Sequence, residues 1–241
     1  MERVDDTGFG GIRVIQNEGL GYGVDAVLLA AFAAGETGAK GIPEGRVQRI
    51  LDIGSGSGII GFVLLHKIKD STVLGVDIRE GAVDRATRAA ALNGLEDRIS
   101  FELADCPMLT GFDAVVTNPP YFRKGSAVPN SGDDKYIARH ETSAQLSDFI
   151  DAAYSALDKG GSLYMVHRPD RLVDILAEMR ARGIEPKELQ LVTPHPGEAA
   201  NIVLVHGVKG AGKELKLLPD ISVHNADGSY TEIINRIYER K

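Results

Sequence analysis

A single cysteine, Cys106, in 241 residues leaves nothing to pair with in an internal disulfide and no thiolate set for a zinc site. No apolar run approaches the length that a bilayer crossing needs. The opening residues, Met1-Glu2-Arg3-Val4-Asp5-Asp6, also lack the basic-then-apolar pattern of a secretory signal. A reducing, cytoplasmic setting without membrane contact is the expectation. Excess positive charge is missing as well: the formal net charge of −7 argues against a broad phosphate-gripping surface but leaves room for a local basic patch. Repeats, heptads and low-complexity tracts are absent, and His167 and His195 have no ligand-type partners at fixed spacing, so no metal is expected. What is present, 43% hydrophobic and 25% charged residues, is the composition of a globular chain long enough to bury one substantial core.

From residue 47 onward the hydrophobic pattern alternates between strand-like and helix-like segments. Strands are predicted over 47–53, 72–78, 99–103, 112–117 and 162–167. Helices are predicted over 59–69, 80–92 (closed by Asn93-Gly94), 146–157 (stopped by Gly160-Gly161) and 171–182. Such alternation implies parallel strands with crossover helices, hence an α/β fold with a doubly wound, mostly parallel sheet. Segments 189–193 and 200–208 read as a terminal antiparallel strand pair. The whole chain, 1–241, is expected to form one domain, with an N-terminal extension (1–46), a Rossmann-like core (47–208) and a C-terminal addition (209–241). The extension carries Gly21-Tyr22-Gly23-Val24-Asp25 ahead of an Ala/Leu-rich helix, 26–34. A long polar loop, 122–140, contains Arg123, Lys124, Lys135 and Arg139; loops of that length in a compact domain are functional or disordered.

Chemistry concentrates at the strand ends. Asp52-Ile53-Gly54-Ser55-Gly56-Ser57-Gly58 joins a strand to a helix, and a glycine-rich loop there fits NAD, FAD or S-adenosylmethionine. Asp52 discriminates among them. A carboxylate at that point repels a pyrophosphate and attracts an ammonium or sulfonium. Neither the dinucleotide glycine spacing nor the P-loop Lys-Ser/Thr pair is present. Asp77, about 20 residues after the loop, stands where a carboxylate accepts two ribose hydroxyls. Asp105, in Ala104-Asp105-Cys106, can take an adenine amino group. Any one of these acids could merely cap a helix or turn, but three at successive strand ends outline a ligand.

After the strand 112–117 comes Asn118-Pro119-Pro120-Tyr121. The two prolines hold φ near −65° and supply no N–H, which leaves the Asn118 and Pro119 carbonyls available to a ligand. Acceptors and an aromatic face together suit an amino group on a flat ring. A bland Pro-Pro loop is the alternative.

These motifs, in this order, resemble those of the class I S-adenosylmethionine-dependent methyltransferases that modify amino nitrogens, over roughly residues 47–208. Segments 2–6, 15–17, 24–29, 138–141 and 230–234 further resemble the bacterial tRNA(Val) adenine-N6 methyltransferases of the small-domain type. The resemblance implies an N-methyltransferase acting on an exocyclic amine, adenine N6 in tRNA, with Asn118, Pro119, Pro120 and Tyr121 as catalytic residues. The Asn118 oxygen and the Pro119 carbonyl would accept from the target NH₂, Tyr121 would stack on the base, and no strong general base is needed. S-adenosylmethionine would be held by Asp25, Asp52, Ile53, Gly54, Ser55, Gly56, Gly58, Asp77, Ile78, Asp105, Cys106 and Asn118. Asp25 could instead line the target pocket or cap the helix that follows it. RNA is the expected partner, with no DNA, membrane or metal. A glutamine-amide methyltransferase of a release factor and a guanine-N2 rRNA methyltransferase are the alternatives within methyl transfer. A catalytically silent cofactor- or RNA-binding protein is the alternative outside it.

Overall fold

The computed structural model describes residues 1–17, 21–120 and 145–240. Tyr121, the loop 122–140 and the segment 138–141 therefore lie outside the described residues. The chain opens with an antiparallel hairpin, β1 (Glu2–Asp6) and β2 (Arg13–Asn17), forming a small sheet of its own. It then runs through α1 (Val24–Ala33), β3 (Gln48–Ile53), α2 (Ile59–Lys67), β4 (Ser71–Asp77), α3 (Glu80–Asn93), β5 (Ile99–Leu103) and β6 (Phe112–Thr117). The second half comprises α4 (Leu146–Ala156), β7 (Leu157–His167), a short 3-10 turn, α5 (Leu172–Ala181), β8 (Ile184–Thr193), β9 (Ile202–Lys209), the two-residue strands β10 (Lys216–Leu217) and β11 (Ile221–Ser222), and α6 (Glu232–Ile237).

Among the described residues, nine strands form the main sheet in the order β10-β8-β9-β7-β6-β3-β4-β5, with β11 also on β8. Strands β5, β4, β3, β6 and β7 run parallel, and β9 runs antiparallel to both neighbours. The doubly wound, mostly parallel sheet and the antiparallel β8–β9 pair are as expected. That pair is not the sheet's edge, because β10 and β11 add to β8 in parallel.

Both faces of the sheet are covered, so successive residues of one strand serve two cores. Ile50, Ala114, Val116 and Tyr164 pack with α1, α2, α3 and α6 on one side. Leu51, Val115, Leu163 and Met165 pack with α4 and α5 on the other. Helix α1 is buried from Ala26 to Ala33, which is why it carries no polar face. The C-terminal addition belongs to the first core, since Ile234 and Ile237 of α6 are fully buried there.

One expected boundary is corrected. Helix α4 does not continue to residue 157 or stop at Gly160-Gly161; it ends at Ala156, and β7 begins at Leu157, paired to Phe112 across a bulge. Lys209 of β9 donates its ammonium to the carbonyls of Tyr154 (2.6 Å) and Leu157 (2.7 Å), satisfying the helix end from a distant strand.

Candidate active site

Because β3, β4, β5 and β6 are parallel, their C-terminal ends share one edge of the sheet. The chain leaves β3 toward β4 and β5 and returns to β6 on the other side, which makes the β3/β6 boundary the topological switch point where such sheets hold ligands. Thr117 ties this boundary together by donating its hydroxyl to the Ile53 carbonyl at 2.8 Å.

The glycine loop begins where β3 ends. The Val76 carbonyl accepts from Gly54 (2.8 Å) and Ser55 (2.9 Å), which folds the loop over the end of β4. Gly58, the residue before α2, has φ 78°, and a Cβ there would stand 2.6 Å from the Phe101 ring. Only glycine meets both conditions.

Beneath the loop Asp52 is fully buried, and neither carboxylate oxygen has a hydrogen-bond partner. Burial first, and the negative charge of Asp77 second, push its pKa from 3.8 to about 7; the Gly61 N–H opposes this without reaching hydrogen-bond geometry. The Ser55 hydroxyl is likewise buried without a partner. Orphaned buried acceptors of this kind are costly unless a ligand or proton satisfies them. Asp77 contrasts with Asp52. Its Oδ1 accepts from the Arg79 backbone N–H (2.9 Å) and Nε (3.0 Å), and its Oδ2 from the Gly56 N–H (2.9 Å) and the Arg79 Nη2 (3.0 Å). All four acceptor positions of the carboxylate are thus taken.

Across the switch point, Asn118 directly follows β6 and donates its Nδ2 to Oδ2 of Asp25 at 3.0 Å. Asp25 sits in the first turn of α1, whose N-cap residue is Gly23; from inside that turn its Oδ1 accepts the Ala26 N–H at 3.0 Å, so it satisfies one donor of the helix start while its other oxygen holds Asn118. Pro119 is buried and Pro120 exposed.

A family model described as "Methyltransferase small domain" matches residues 38–179, more than half of the chain. The chain belongs to that family. Among relatives of this chain, the tRNA1(Val) (adenine(37)-N6)-methyltransferase of Porphyromonas gingivalis (strain W83) is 35% identical over 161 residues, 64% of this chain and 60% of that protein. The enzyme of the same name from Bacteroides fragilis (strain ATCC 25285) is 26% identical over 224 residues, 90% of each. A crystal structure described as a predicted O-methyltransferase from Agrobacterium tumefaciens superimposes with a TM-score of 0.68 at 23% identity, covering 90% of this chain and 96% of that one. The 16S rRNA N2 G1207 methyltransferase of T. thermophilus, solved with AdoMet and guanosine, gives 0.56 at 19% identity, covering 87% and 51%. Both likenesses show the fold, the class I Rossmann-like one.

The remaining expected residues take different settings. Ile78 is half-buried beside Asp77, and Asp105 is exposed after β5. Cys106 adopts φ 40°, a strained value for a side-chain-bearing residue. Burial, then the charges of Asp105 and Asp148, push its thiol up to about 12, so it serves as a neutral group and not as a nucleophile. Arg79 was not anticipated from the sequence. Its signal was an Arg two positions after the acid, too common a spacing to stand out.

Proposed function

We propose that this protein transfers a methyl group from S-adenosylmethionine to an exocyclic amine, adenine N6 in tRNA, and that residues 1–241 act as one domain. The observation that carries the reading is the pairing across the switch point: Asn118, seated on Asp25, lies one residue beyond Thr117, whose β3 partner Ile53 adjoins the orphaned Asp52. An amine-orienting amide and an unsatisfied buried carboxylate on adjacent strands suit a neutral amine on one side and a cation on the other.

The residues present fit the cofactor. Asp52 would hold its charged methionine end, Asp77 the ribose hydroxyls once Arg79 swings away, and Asp105 the adenine amino group, with Ile53, Gly54, Ser55, Gly56, Gly58, Ile78 and Cys106 forming the walls. When bound, S-adenosylmethionine supplies an electrophilic methyl group. The Asn118 oxygen and the Pro119 carbonyl accept from the target NH₂ and orient its lone pair, and Tyr121 offers a ring to the base. The target is assigned from the relatives, two of which bear tRNA adenine-N6 methyltransferase names and align over 64% and 90% of this chain.

Incubation of labelled S-adenosylmethionine with unmodified bulk tRNA, rRNA and release factor tests the assignment. Label in adenine of tRNA is expected; label confined to protein or guanine, or none at all, rejects it. Asn118→Ala should lower transfer by about 10²–10³-fold with cofactor affinity nearly unchanged, as a single lost transition-state acceptor does.

A further inference from the structure

We propose that Asp25 is a positioning residue: by holding the amide nitrogen of Asn118 it determines that the oxygen, and not the NH₂, is turned to the target amine. The inference rests on the reading of Asn118 as acceptor for that amine.

An Asn side chain carries an acceptor and a donor on one short planar group of nearly symmetric shape, so packing alone does not select which end faces a pocket. A target amine requires the acceptor. The NH₂ end in its place would confront the amine's hydrogens with more hydrogens. A carboxylate has acceptors only and therefore selects the nitrogen. Asp25, 93 residues earlier in the chain, takes Asn118 Nδ2 at 3.0 Å, which leaves Oδ1 on the opposite side of the amide.

The carboxylate is itself held in a fitted seat. Its second oxygen accepts the Ala26 N–H at 3.0 Å, and it lies in the first turn of the ten-residue α1, where the helix dipole favours negative charge. Gly23 completes the seat, since a Cβ at that position would collide with Asp25 Oδ1. The Oδ1 bond to Ala26 is all that beginning a helix requires; the other oxygen is aimed instead at a residue following β6.

Charge-assisted hydrogen bonds are the strong ones, so Asp25→Ala should lower kcat about tenfold or more. KM for the RNA and cofactor affinity should stay near wild type, because the bond orients the acceptor; a fall in cofactor affinity with kcat unchanged would overturn this and leave Asp25 the cofactor-holding role expected from the sequence. The decisive experiment exchanges the two groups. Asn118→Asp alone sets two carboxylates against each other, and Asp25→Asn alone lets the facing amides pair in either sense. In the double variant, Asn at 25 donates to Asp at 118, which still offers an oxygen to the pocket. Asp25→Asn is expected to reduce kcat in the wild-type background and to raise it in the Asn118→Asp background. A loss in both backgrounds, as a purely structural role predicts, overturns the proposal.

An activity-independent readout is the side-chain NH₂ signal of Asn118 in ¹⁵N-labelled protein. One proton should be shifted downfield and slow to exchange, and Asp25→Ala should abolish both features with a loss of stability no larger than a missing helix-start acceptor costs. A signal unchanged by Asp25→Ala overturns the proposal whatever the activity. Wild-type protein that shows the signal and methylates no RNA would instead sink the functional reading and leave the pairing standing.

Discussion

Asp52 concentrates the electrostatic tension of the site in one side chain. The folded chain keeps its proton up to about pH 7, whereas an exposed Asp releases it near 3.8. Between these values the folded state binds more protons than the unfolded one, so this group's contribution to stability falls as pH rises from about 4 to 7 and is constant above that. The proton held in this buried setting is worth on the order of 4 kcal/mol. Asp52→Asn should accordingly stabilise the ligand-free protein at pH 8 and leave it unchanged at pH 3, as read by chemical denaturation. A cation beside the carboxylate reverses the preference. Cofactor affinity is expected to rise as pH climbs through 7 and level off above, with a proton released on binding at pH 6. Calorimetry in two buffers of different ionisation enthalpy detects that proton, and Asp52→Asn should remove it. The three acids at successive strand ends were readable from spacing alone. The Asp25–Asn118 bond and the Arg79 fork were not, because a local pattern carries no information on which side chains meet across a fold.

Among the elements, the α2 entry illustrates how a ligand loop and a core share one constraint. Gly58→Ala adds a left-handed strain and a methyl group pressed onto Phe101. A loss of about 2–4 kcal/mol is expected by denaturant titration. Shrinking the ring with Phe101→Leu should recover the steric part but not the backbone part. Strands β5 and β6 match the sequence pattern residue for residue, since their bounds are set by local alternation and flanking turns. The α4 to β7 junction does not, because its pairing with Phe112 and its capping by Lys209 come from segments 45 or more residues away in the chain.

For the whole molecule, the segments outside the expected core behave as clasps. The hairpin is tied to α3 by the reciprocal bonds of Asn93 with Arg13 (2.9 and 2.7 Å). At the other terminus Glu239 pairs with His66, and the buried Lys67 ammonium bridges Glu36 (2.7 Å) and the Ile237 carbonyl (3.2 Å). Removing a fully buried side chain from α6, Ile234→Ala, should cost about 2–5 kcal/mol. The loss should appear in a single cooperative transition that spans the sheet as well as the terminus; a separate early transition would contradict one folding unit. These contributions escaped the sequence for a definable reason: strands of two residues show no period, and α6 is a single short amphipathic turn-and-a-half whose partner, α1, lies some 200 positions earlier.

The Arg79 fork on Asp77 means that the candidate ribose subsite starts out filled. A guanidinium presents two donors to one carboxylate much as a vicinal diol does, so any diol arriving there enters by substitution and not by addition. The measured affinity is then a difference between two occupants, one covalently tethered and permanently available. A nucleoside lacking one hydroxyl forfeits more than a hydrogen bond, because it must still evict a competitor that offers both.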